Sequence, residues 1–407
     1  MNFNNHITKT LLNEYAGSEK KKTVIMDDGH KYLLKFPDPT REVGRELSYI
    51  NNALSEHIAC SIYNIIGIQA QKTMLGEYTD DNGKVKIACA CQDIRKTDEK
   101  MYEINKLELS SLDNTHARKL SLEYMDEVFE KMDDIIPKEQ LSDFYYKMLV
   151  VDAFIGNTDR HNGNWAILES QSGIRIAPVY DCGSSLAPLV DERYVSADAG
   201  IQCAMNTSSV LVDAKGKKIK YCEFFKSDLN PRTQQALREV IPNIDLNKID
   251  KLILQEQYLS LKRKEFYTSF LHTTYEKILI PAIEKCMKKP EEKYQDISRD
   301  ACYLFYKEVI QPLRNTATYE KQSLNALGLP NYQYSKAGKG HLFIYKENEL
   351  VGVLSARSNN RETRENYAKF AKYGLDINKI HTQHIQKEQQ KEINDFDSHD
   401  FNDYDDR

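Results

Sequence analysis

The sequence of 407 residues has few of the features that mark metal-binding proteins. Its eight cysteines are scattered between Cys60 and Cys302, and the one close pair, Cys89 and Cys91, has no histidine beside it. A zinc site needs two or more spaced pairs of ligands, so the cysteine pattern predicts no such site. We interpret these cysteines as small buried side chains in a reducing compartment.

Long apolar runs and a basic surplus are also missing. No segment approaches the roughly 18 apolar residues that a membrane-spanning helix needs, and residues 1–15 lack the apolar core of a signal peptide. The 56 basic and 61 acidic side chains give a net charge of −5, which residues 391–407 alone account for. Because binding along nucleic acids requires a basic surplus, we expect no direct nucleic-acid binding. We expect a cytoplasmic protein without a membrane span.

Short runs of β-branched and aromatic residues, separated by turn residues, predict strands in the first part of the chain. The predicted strands cover residues 22–26, 31–36, 69–76 and 85–92. Asp27-Asp28-Gly29 is a hairpin-turn signal between the first two. Before the third, apolar residues three and four apart predict a helix over residues 46–66. We assign residues 1–93 to a small strand-rich N-terminal lobe with one helix.

Helical patterns dominate the following part of the chain. Helix-rich segments are predicted over residues 107–154 and 230–315, with a polar loop, two short strands and an irregular stretch at 178–216 between them. We assign residues 94–318 to a larger helical lobe. The predicted fold class is α+β, and ligands commonly bind in the cleft between two such lobes.

The last part of the chain has a different character. A strand–turn–strand pattern over residues 342–354 and a short helix over residues 361–373 predict a small extension, which we place at residues 319–386. Residues 387–407 are acidic and polar, and this composition predicts a disordered tail.

Residues 157–164, Asn-Thr-Asp-Arg-His-Asn-Gly-Asn, form the densest polar segment. Phosphoryl transfer needs a carboxylate at the acceptor hydroxyl and ligands that hold magnesium against the phosphates of a nucleotide. Asp159 would orient or deprotonate the acceptor, and Asn164, five residues later, would turn back to the metal ion. Asp181, after the predicted strand pair, would be the main magnesium carboxylate. This spacing is typical of a kinase catalytic loop, although the usual His-Arg-Asp order is changed and Cys-Gly replaces Phe-Gly after the metal aspartate.

Residues upstream supply the other parts of a nucleotide site. Lys35 ends a predicted strand, and Glu56 lies 21 residues later in the predicted helix. The two would form the strand–helix ion pair that aligns the phosphates of ATP. The loop that would cover the phosphates has a single glycine, Gly17, followed by Ser18 and by lysines that bind phosphate as point charges, including Lys21.

The strand over residues 85–92 leads into the connection between the lobes. The backbone N–H and C=O groups at Cys91, Gln92 and Asp93 are expected to be free for the edge of adenine. ATP and Mg²⁺ are therefore the expected cofactors.

These segments make the sequence resemble the HipA-like kinase family. The resemblance covers about residues 14–315 and is carried by the segments at 17–21, 33–37, 55–57, 157–164 and 176–181. It implies a two-lobed protein-kinase-like fold and ATP- and Mg²⁺-dependent transfer of the γ-phosphate to serine or threonine of proteins. It also implies that Asp159 is the catalytic base, that Asn164 and Asp181 bind Mg²⁺, and that Lys35 contacts ATP.

The resemblance carries expectations about regulation and partners as well. Ser18 lies where family members phosphorylate their own phosphate loop as an off-switch, so autophosphorylation at Ser18 is expected. Members in bacterial toxin–antitoxin pairs act on translation factors, which implies a protein substrate and an antitoxin-like partner. The phosphate loop begins near residue 17, as in short members of the family that enter host cells, so secretion into a host and a role in virulence are further expectations.

Two other functions stay open at this point. Phosphatidylinositol kinases share the Asp-Arg-His-x-x-Asn loop, but the stretch after Asp181 carries Asp191, Glu192 and Asp198, and we see no basic or aromatic membrane-docking surface there. A pseudokinase that only binds ATP or a partner is the third candidate. Against it, every position that the chemistry needs is occupied by a competent side chain.

Overall fold

The computed structural model describes residues 1–12, 21–37, 51–111, 119–287, 299–338, 340–356 and 360–375. The chain divides into two compact units, Met1–Cys286 and Met287–Arg407. The structure therefore ends the helical lobe earlier than residue 318, the boundary expected from the sequence. The reason is that the helices over residues 299–316 bury Phe305, Val309 and Leu313 in the core of the second unit.

An antiparallel sheet of five strands forms the N-terminal lobe. The strands are β1 Ile7–Leu11, β2 Lys21–Met26, β3 Lys31–Lys35, β4 Thr73–Thr79 and β5 Val85–Gln92, in the order β1-β2-β3-β5-β4. The predicted strand at residues 85–92 is confirmed residue for residue. The edge strand β1 was not predicted, because its central residues Thr8, Lys9 and Thr10 are exposed and give no alternation of apolar and polar residues.

One helix, α1 Asn52–Ile66, accompanies this sheet. Ala53 of α1 packs with Leu75 of β4 and with Cys89 and Cys91 of β5. Gly67 ends the helix in the left-handed conformation at φ 94°, as the sequence predicted. Residues 46–50 of the predicted helix lie outside the described residues.

The rest of the first unit is the larger helical lobe. Its helices are α2 Ile104–Ser111, α3 Leu122–Lys131, α4 Lys138–Ile155, α5 Ala197–Asn206, α6 Tyr221–Phe224, α7 Pro231–Val240, α8 Leu246–Gln255, α9 Leu261–Thr274 and α10 Ile280–Met287. Its strands are β6 Lys100–Glu103, β7 Ala166–Ser170 and β8 Gly173–Ile176 in one sheet, and β9 Ser208–Val212 and β10 Lys218–Lys220 in a hairpin. The stretch at 178–216 was expected to be irregular but contains α5 and β9. No helix within the described ranges is long and apolar enough to cross a membrane.

The second unit has its own sheet and core. Three helical segments, α11 Arg299–Phe305, a π-helix Tyr306–Ile310 and α12 Gln311–Thr316, precede the strands β11 Gln322–Leu324, β12 Leu329–Lys336, β13 His341–Lys346 and β14 Glu349–Ser355. The hairpin predicted over residues 342–354 is confirmed as β13 and β14, and the predicted terminal helix as α13 Asn360–Lys372. Residues 387–407 lie outside the described residues.

Candidate active site

Three charged side chains meet where β3, α1 and the segment after β8 come together. The ammonium of Lys35 at the end of β3 lies 2.8 Å from Oε2 of Glu56 on α1 and 2.7 Å from Oδ1 of Asp181. Glu56 is fully buried, whereas the side chain of Asp181 is 42% exposed. The structure thus brings Lys35 and Glu56 together as their spacing predicted, and it leaves Asp181 open to a ligand.

Further contacts explain how the carboxylate of Glu56 can be buried. Its Oε1 accepts a hydrogen bond of 3.1 Å from the backbone N–H of Cys182. A Cβ on Gly183 would lie 3.2 Å from Oε2, so the glycine lets the chain pass close to the carboxylate. Because a buried charge is costly unless it is paired and hydrogen-bonded, Cys-Gly after Asp181 is part of the site.

Asp181 has an unusual backbone and a shifted pKa. Its φ of 56° lies in the left-handed region, which non-glycine residues seldom adopt outside functional sites. The ammonium of Lys35 holds the pKa of Asp181 below its ordinary value, and Lys21, which lies opposite Lys35 across the β2–β3 pair, adds to this effect. Asp181 is therefore kept as a carboxylate, the form that a metal ion binds.

The polar loop between α4 and β7 carries Asp159 and Asn164. The backbone N–H of Asp159 donates to Oδ1 of Asn157 at 3.0 Å, and its carbonyl accepts a hydrogen bond of 2.7 Å from Nδ2 of Asn164. Asp159 is exposed, yet partial desolvation of its carboxyl group raises its pKa, and the charge of Asp181 adds to the rise while His161 opposes it. The raised pKa suits a group that must accept a proton.

Arg160 joins this loop to the segment that carries Asp181. Its side chain is buried, with Nε 2.9 Å from Oδ2 of Asp152 on α4. Its Nη1 donates to the backbone carbonyl of Asn164 at 2.7 Å and to that of Tyr180 at 2.5 Å. One guanidinium therefore holds the backbone next to both proposed metal ligands.

Asp152 is the residue that sequence reasoning missed. It is buried and accepts hydrogen bonds from Nδ2 of Asn157 at 2.9 Å and from the hydroxyl of Tyr63 on α1 at 2.8 Å, in addition to the ion pair with Arg160. The hydroxyl of Tyr221 donates to the carbonyl of Asn157 at 2.7 Å on another side of the loop. The loop that carries Asp159 is therefore tied to α1, α4 and α6.

Gly156 ends α4 directly before this loop, with φ 67°, and a Cβ there would overlap the ring of Phe270. We expect Gly156→Ala to lower the free energy of unfolding by about 2–5 kcal/mol, from backbone strain together with overpacking. Gly67→Ala is the matched control, because Gly67 also has a positive φ but no atom lies within 4 Å of the position that its Cβ would take, so strain alone should cost about 1–2 kcal/mol. Urea denaturation of both variants measures the difference, and equal losses would contradict the assigned contact with Phe270.

Two backbone donors that were expected to be free for adenine, at Gln92 and Asp93, are engaged within the protein. The N–H of Gln92 bonds to the carbonyl of Lys72 at 2.9 Å, and the N–H of Asp93 bonds to the carbonyl of Lys31 at 2.8 Å. Cys91 is paired within the sheet on both sides, because β5 lies between β3 and β4. The sheet register therefore uses donors that were expected to be free.

The phosphate-covering loop is only partly described. Gly17 and Ser18 lie outside the described residues, whereas Lys21 begins β2. Its charge acts on Asp181, so at least one lysine of this segment reaches the site.

The donor set suits Mg²⁺ rather than a metal caged by protein. Among the described residues, no group of three or more His, Cys, Asp and Glu side chains could hold a metal ion. Asp181 offers one carboxylate, and Asn164, whose Nδ2 is engaged with Asp159, offers its amide oxygen. Mg²⁺ is commonly held by one or two such ligands and completes its shell with water and substrate phosphates.

Comparisons with known proteins show which family the chain resembles. Residues 9–245 match the family described as HipA-like C-terminal domain. The serine/threonine-protein kinase CtkA of Helicobacter pylori (strain J99 / ATCC 700824) is 31% identical over 275 residues, which cover 65% of this chain and 82% of that protein. The crystal structure of a Helicobacter pylori proinflammatory kinase CtkA superposes with a TM-score of 0.62 and 28% identity, covering 70% of this chain and 97% of the other.

The family match spans more than half of the chain and includes Lys35, Glu56, Asp159, Asn164 and Asp181. The two-lobed fold, with a strand-rich lobe that carries one helix and a larger helical lobe, is that of a protein kinase. The chain therefore belongs to the HipA-like C-terminal domain family and is a kinase.

Proposed function

We propose that this kinase transfers the γ-phosphoryl group of ATP, with Mg²⁺, to serine or threonine hydroxyl groups of proteins. One observation supports the proposal above all: the proton acceptor Asp159 and the ligands Asn164 and Asp181 belong to one hydrogen-bonded frame. Nδ2 of Asn164 donates to the carbonyl of Asp159, and Arg160 donates to the backbone carbonyls of Asn164 and of Tyr180, which precedes Asp181. A polar loop whose only role was to end the preceding helix would need none of these hydrogen bonds.

Each side chain then has a definite task. Magnesium-bound ATP supplies the γ-phosphorus and a leaving group whose charge the metal neutralises. Asp159 accepts the proton of the acceptor hydroxyl as the new oxygen–phosphorus bond forms and the bond to the ADP oxygen breaks. Lys35 neutralises phosphate charge, and Glu56 holds its ammonium in place.

The alternative functions find less support. CtkA is named a serine/threonine-protein kinase, which favours a protein acceptor over a phosphoinositide. A pseudokinase would not need a proton acceptor, yet Asp159 has a raised pKa beside the metal carboxylate. The experiment that separates the three is phosphate transfer from labelled ATP to protein, to phosphatidylinositol vesicles or to neither.

Asp181→Asn should weaken Mg²⁺-dependent ATP binding at least about tenfold, because metal sites lose this much when even an outer-shell partner is removed. Asparagine is the suitable replacement since it tolerates the left-handed backbone of residue 181, whereas alanine would add strain. Titration of ATP with and without Mg²⁺ by calorimetry measures the effect. Asp133→Asn, a change at an exposed aspartate outside the site, serves as the control. Unchanged Mg²⁺-dependent affinity in Asp181→Asn would remove Asp181 from metal binding.

We also propose that Ser18 is an autophosphorylation site that restrains the enzyme. A phosphate on Ser18, three residues before Lys21 in the sequence, would add negative charge to the segment that is expected to cover the phosphates of ATP, so nucleotide binding should fall. Phosphopeptide mapping after incubation with ATP and Mg²⁺ is expected to find phosphate on Ser18 of the wild type. Incorporation at other residues, with Ser18 always unmodified, would contradict this switch.

The expectations about partner proteins and cellular location rest only on the resemblance to the family. An antitoxin-like protein that restrains the kinase, a cytoplasmic site of action and secretion into a host are proposals of this kind. Co-purification of a bound protein from the native cell tests the first of them.

A further inference from the structure

The β9–β10 hairpin is a strongly basic surface in a chain with net charge −5. Lysines 215, 217 and 218 on its turn and second strand are exposed, and Lys220 follows them. The one acid of the turn, Asp213, uses its Oδ1 to accept the backbone N–H groups of Lys215 and Lys217, both at 2.9 Å. We call Lys119, Lys215, Lys217, Lys218 and Lys220 the lysine hairpin surface.

This surface is attached to the catalytic loop. Lys220 is followed by Tyr221, whose hydroxyl donates to the carbonyl of Asn157, two residues before Asp159. The other strand of the hairpin, β9, is also anchored to the lobe, because the N–H of its last residue, Val212, bonds to the carbonyl of Leu120. The hydrogen bond of Tyr221 therefore fixes the end of the hairpin against the loop that carries Asp159.

Apart from Asp213 in the turn itself, no acidic side chain in the described part of the chain is placed to offset the charge of these lysines by an ion pair. Lys119, Lys215, Lys217 and Lys218 form no ion pair with any described residue, and Lys220 bonds to the neutral amide of Asn206 at 2.8 Å. Lys119 lies against Gly216, so its ammonium joins the same cluster of charge. Clustered like charges repel one another, and a complementary anionic partner removes this cost and speeds encounter.

We propose that the lysine hairpin surface binds acidic residues that flank the acceptor serine or threonine of the protein substrate. The proposal rests on the proposed kinase function and names its substrate class. A soluble acidic segment fits better than a membrane, because residues 213–220 carry no aromatic side chain and no exposed large apolar one that could insert into lipid. Positive charge on a hairpin fixed against the loop of Asp159 would hold such a segment with its hydroxyl near the carboxylate.

Two measurements on the full chain test the proposal. The probes are three fluorescent 15-residue peptides with one central serine, flanked by glutamate, by glutamine or by lysine. The variant is Lys217→Glu/Lys218→Glu, and the matched control is Lys251→Glu/Lys262→Glu, which reverses two exposed lysines on α8 and α9. Binding is followed by anisotropy at low and high salt, and transfer by kcat/KM with ATP and Mg²⁺.

We expect the wild type and the control to bind and phosphorylate the glutamate peptide at least about tenfold better than the glutamine peptide at low salt, since several exposed ion pairs would act together on the acidic peptide. The hairpin variant should lose this preference, and high salt should reduce it in the wild type and the control. Equal binding of the glutamate and glutamine peptides by the wild type would overturn the proposal, whatever the transfer data show. So would a preference that survives the hairpin reversal.

The two hypotheses fail in different ways. If no peptide receives phosphate but the glutamate peptide binds through the hairpin, the proposed kinase reaction is wrong and the acidic partner stands. If all peptides are phosphorylated alike, the reaction stands and the acidic preference is wrong. A single-stranded RNA of equal charge, or phosphatidylinositol vesicles, that bind the hairpin more tightly than the glutamate peptide would overturn the assignment of a protein partner.

Discussion

An Asp159→Asn variant is expected to transfer phosphate at least about a hundredfold more slowly than the wild type, which is the lower end of what a positioned general base contributes. The replacement removes the proposed proton acceptor and little else. The backbone of residue 159 is held by Asn157 and Asn164 through its N–H and carbonyl, and neither bond involves the carboxyl group. The charge of Asp181 also repels the carboxylate of Asp159, so the variant should unfold at the same temperature as the wild type or slightly higher.

The control for this variant is Asp134→Asn, which makes the same chemical change at an exposed aspartate outside the loop. ATP affinity, transfer rate and thermal unfolding are measured for all three proteins. We expect a selective loss of transfer in Asp159→Asn. Near-wild-type transfer in that variant would show that another group accepts the proton.

Arg160→Met is expected to lower the free energy of unfolding by about 3–5 kcal/mol, because it leaves the buried carboxylate of Asp152 without its charged partner. It also removes the hydrogen bonds to the carbonyls of Asn164 and Tyr180. The loop should then lose its position relative to Asp181, so transfer should fall together with stability.

A double-mutant cycle with Asp152→Asn isolates the ion pair. If Asp152 and Arg160 act as a unit, the double variant should be less destabilised than the sum of the two single variants. Arg232→Met is the matched control, since Arg232 lies 2.7 Å from Asp126 in a pair that is 41% and 48% exposed. We expect that change to cost under about 1 kcal/mol, as surface pairs do. Equal costs at Arg160 and Arg232, measured by urea denaturation, would contradict the assigned role of the buried pair.

The parts of the site that depend on short-range order were predictable from the sequence. Asp159 and Asn164 are five residues apart on one loop, and a loop of this kind can place both near one metal ion. Lys35 and Glu56 were paired because a strand end and a helix middle meet in the predicted lobe, and their contact at 2.8 Å agrees.

The parts that depend on long-range packing were not predictable. Asp152 lies in an apolar run over residues 148–155 and looked like an ordinary helix position, although a lone carboxylate in such a run was an available signal. Its partners Tyr63 and Arg160 come from other elements. The N–H groups of Gln92 and Asp93 were expected to be free for a similar reason. Their hydrogen-bond partners lie in other segments of the chain, and the sequence of one strand does not show which segments pair with it.

The lysine hairpin surface was missed because the surrounding stretch looked irregular. The turn after β9 contains Gly216 and several lysines, which alone suggest only a solvated loop. The surface matters because Tyr221, which follows β10, bonds to Asn157 and so links the hairpin to the loop that carries Asp159, across 64 residues of sequence.

The most direct test of this account is the identity of the atom that receives phosphate. Full-length wild type and Asp159→Asn are incubated with labelled ATP and Mg²⁺ in the presence of a mixed protein extract and phosphatidylinositol vesicles, and the products are separated and analysed for phosphoamino acids. We expect phosphoserine or phosphothreonine from the wild type and almost none from the variant. Label found only on the lipid, or equal labelling of protein by both enzymes, would contradict it.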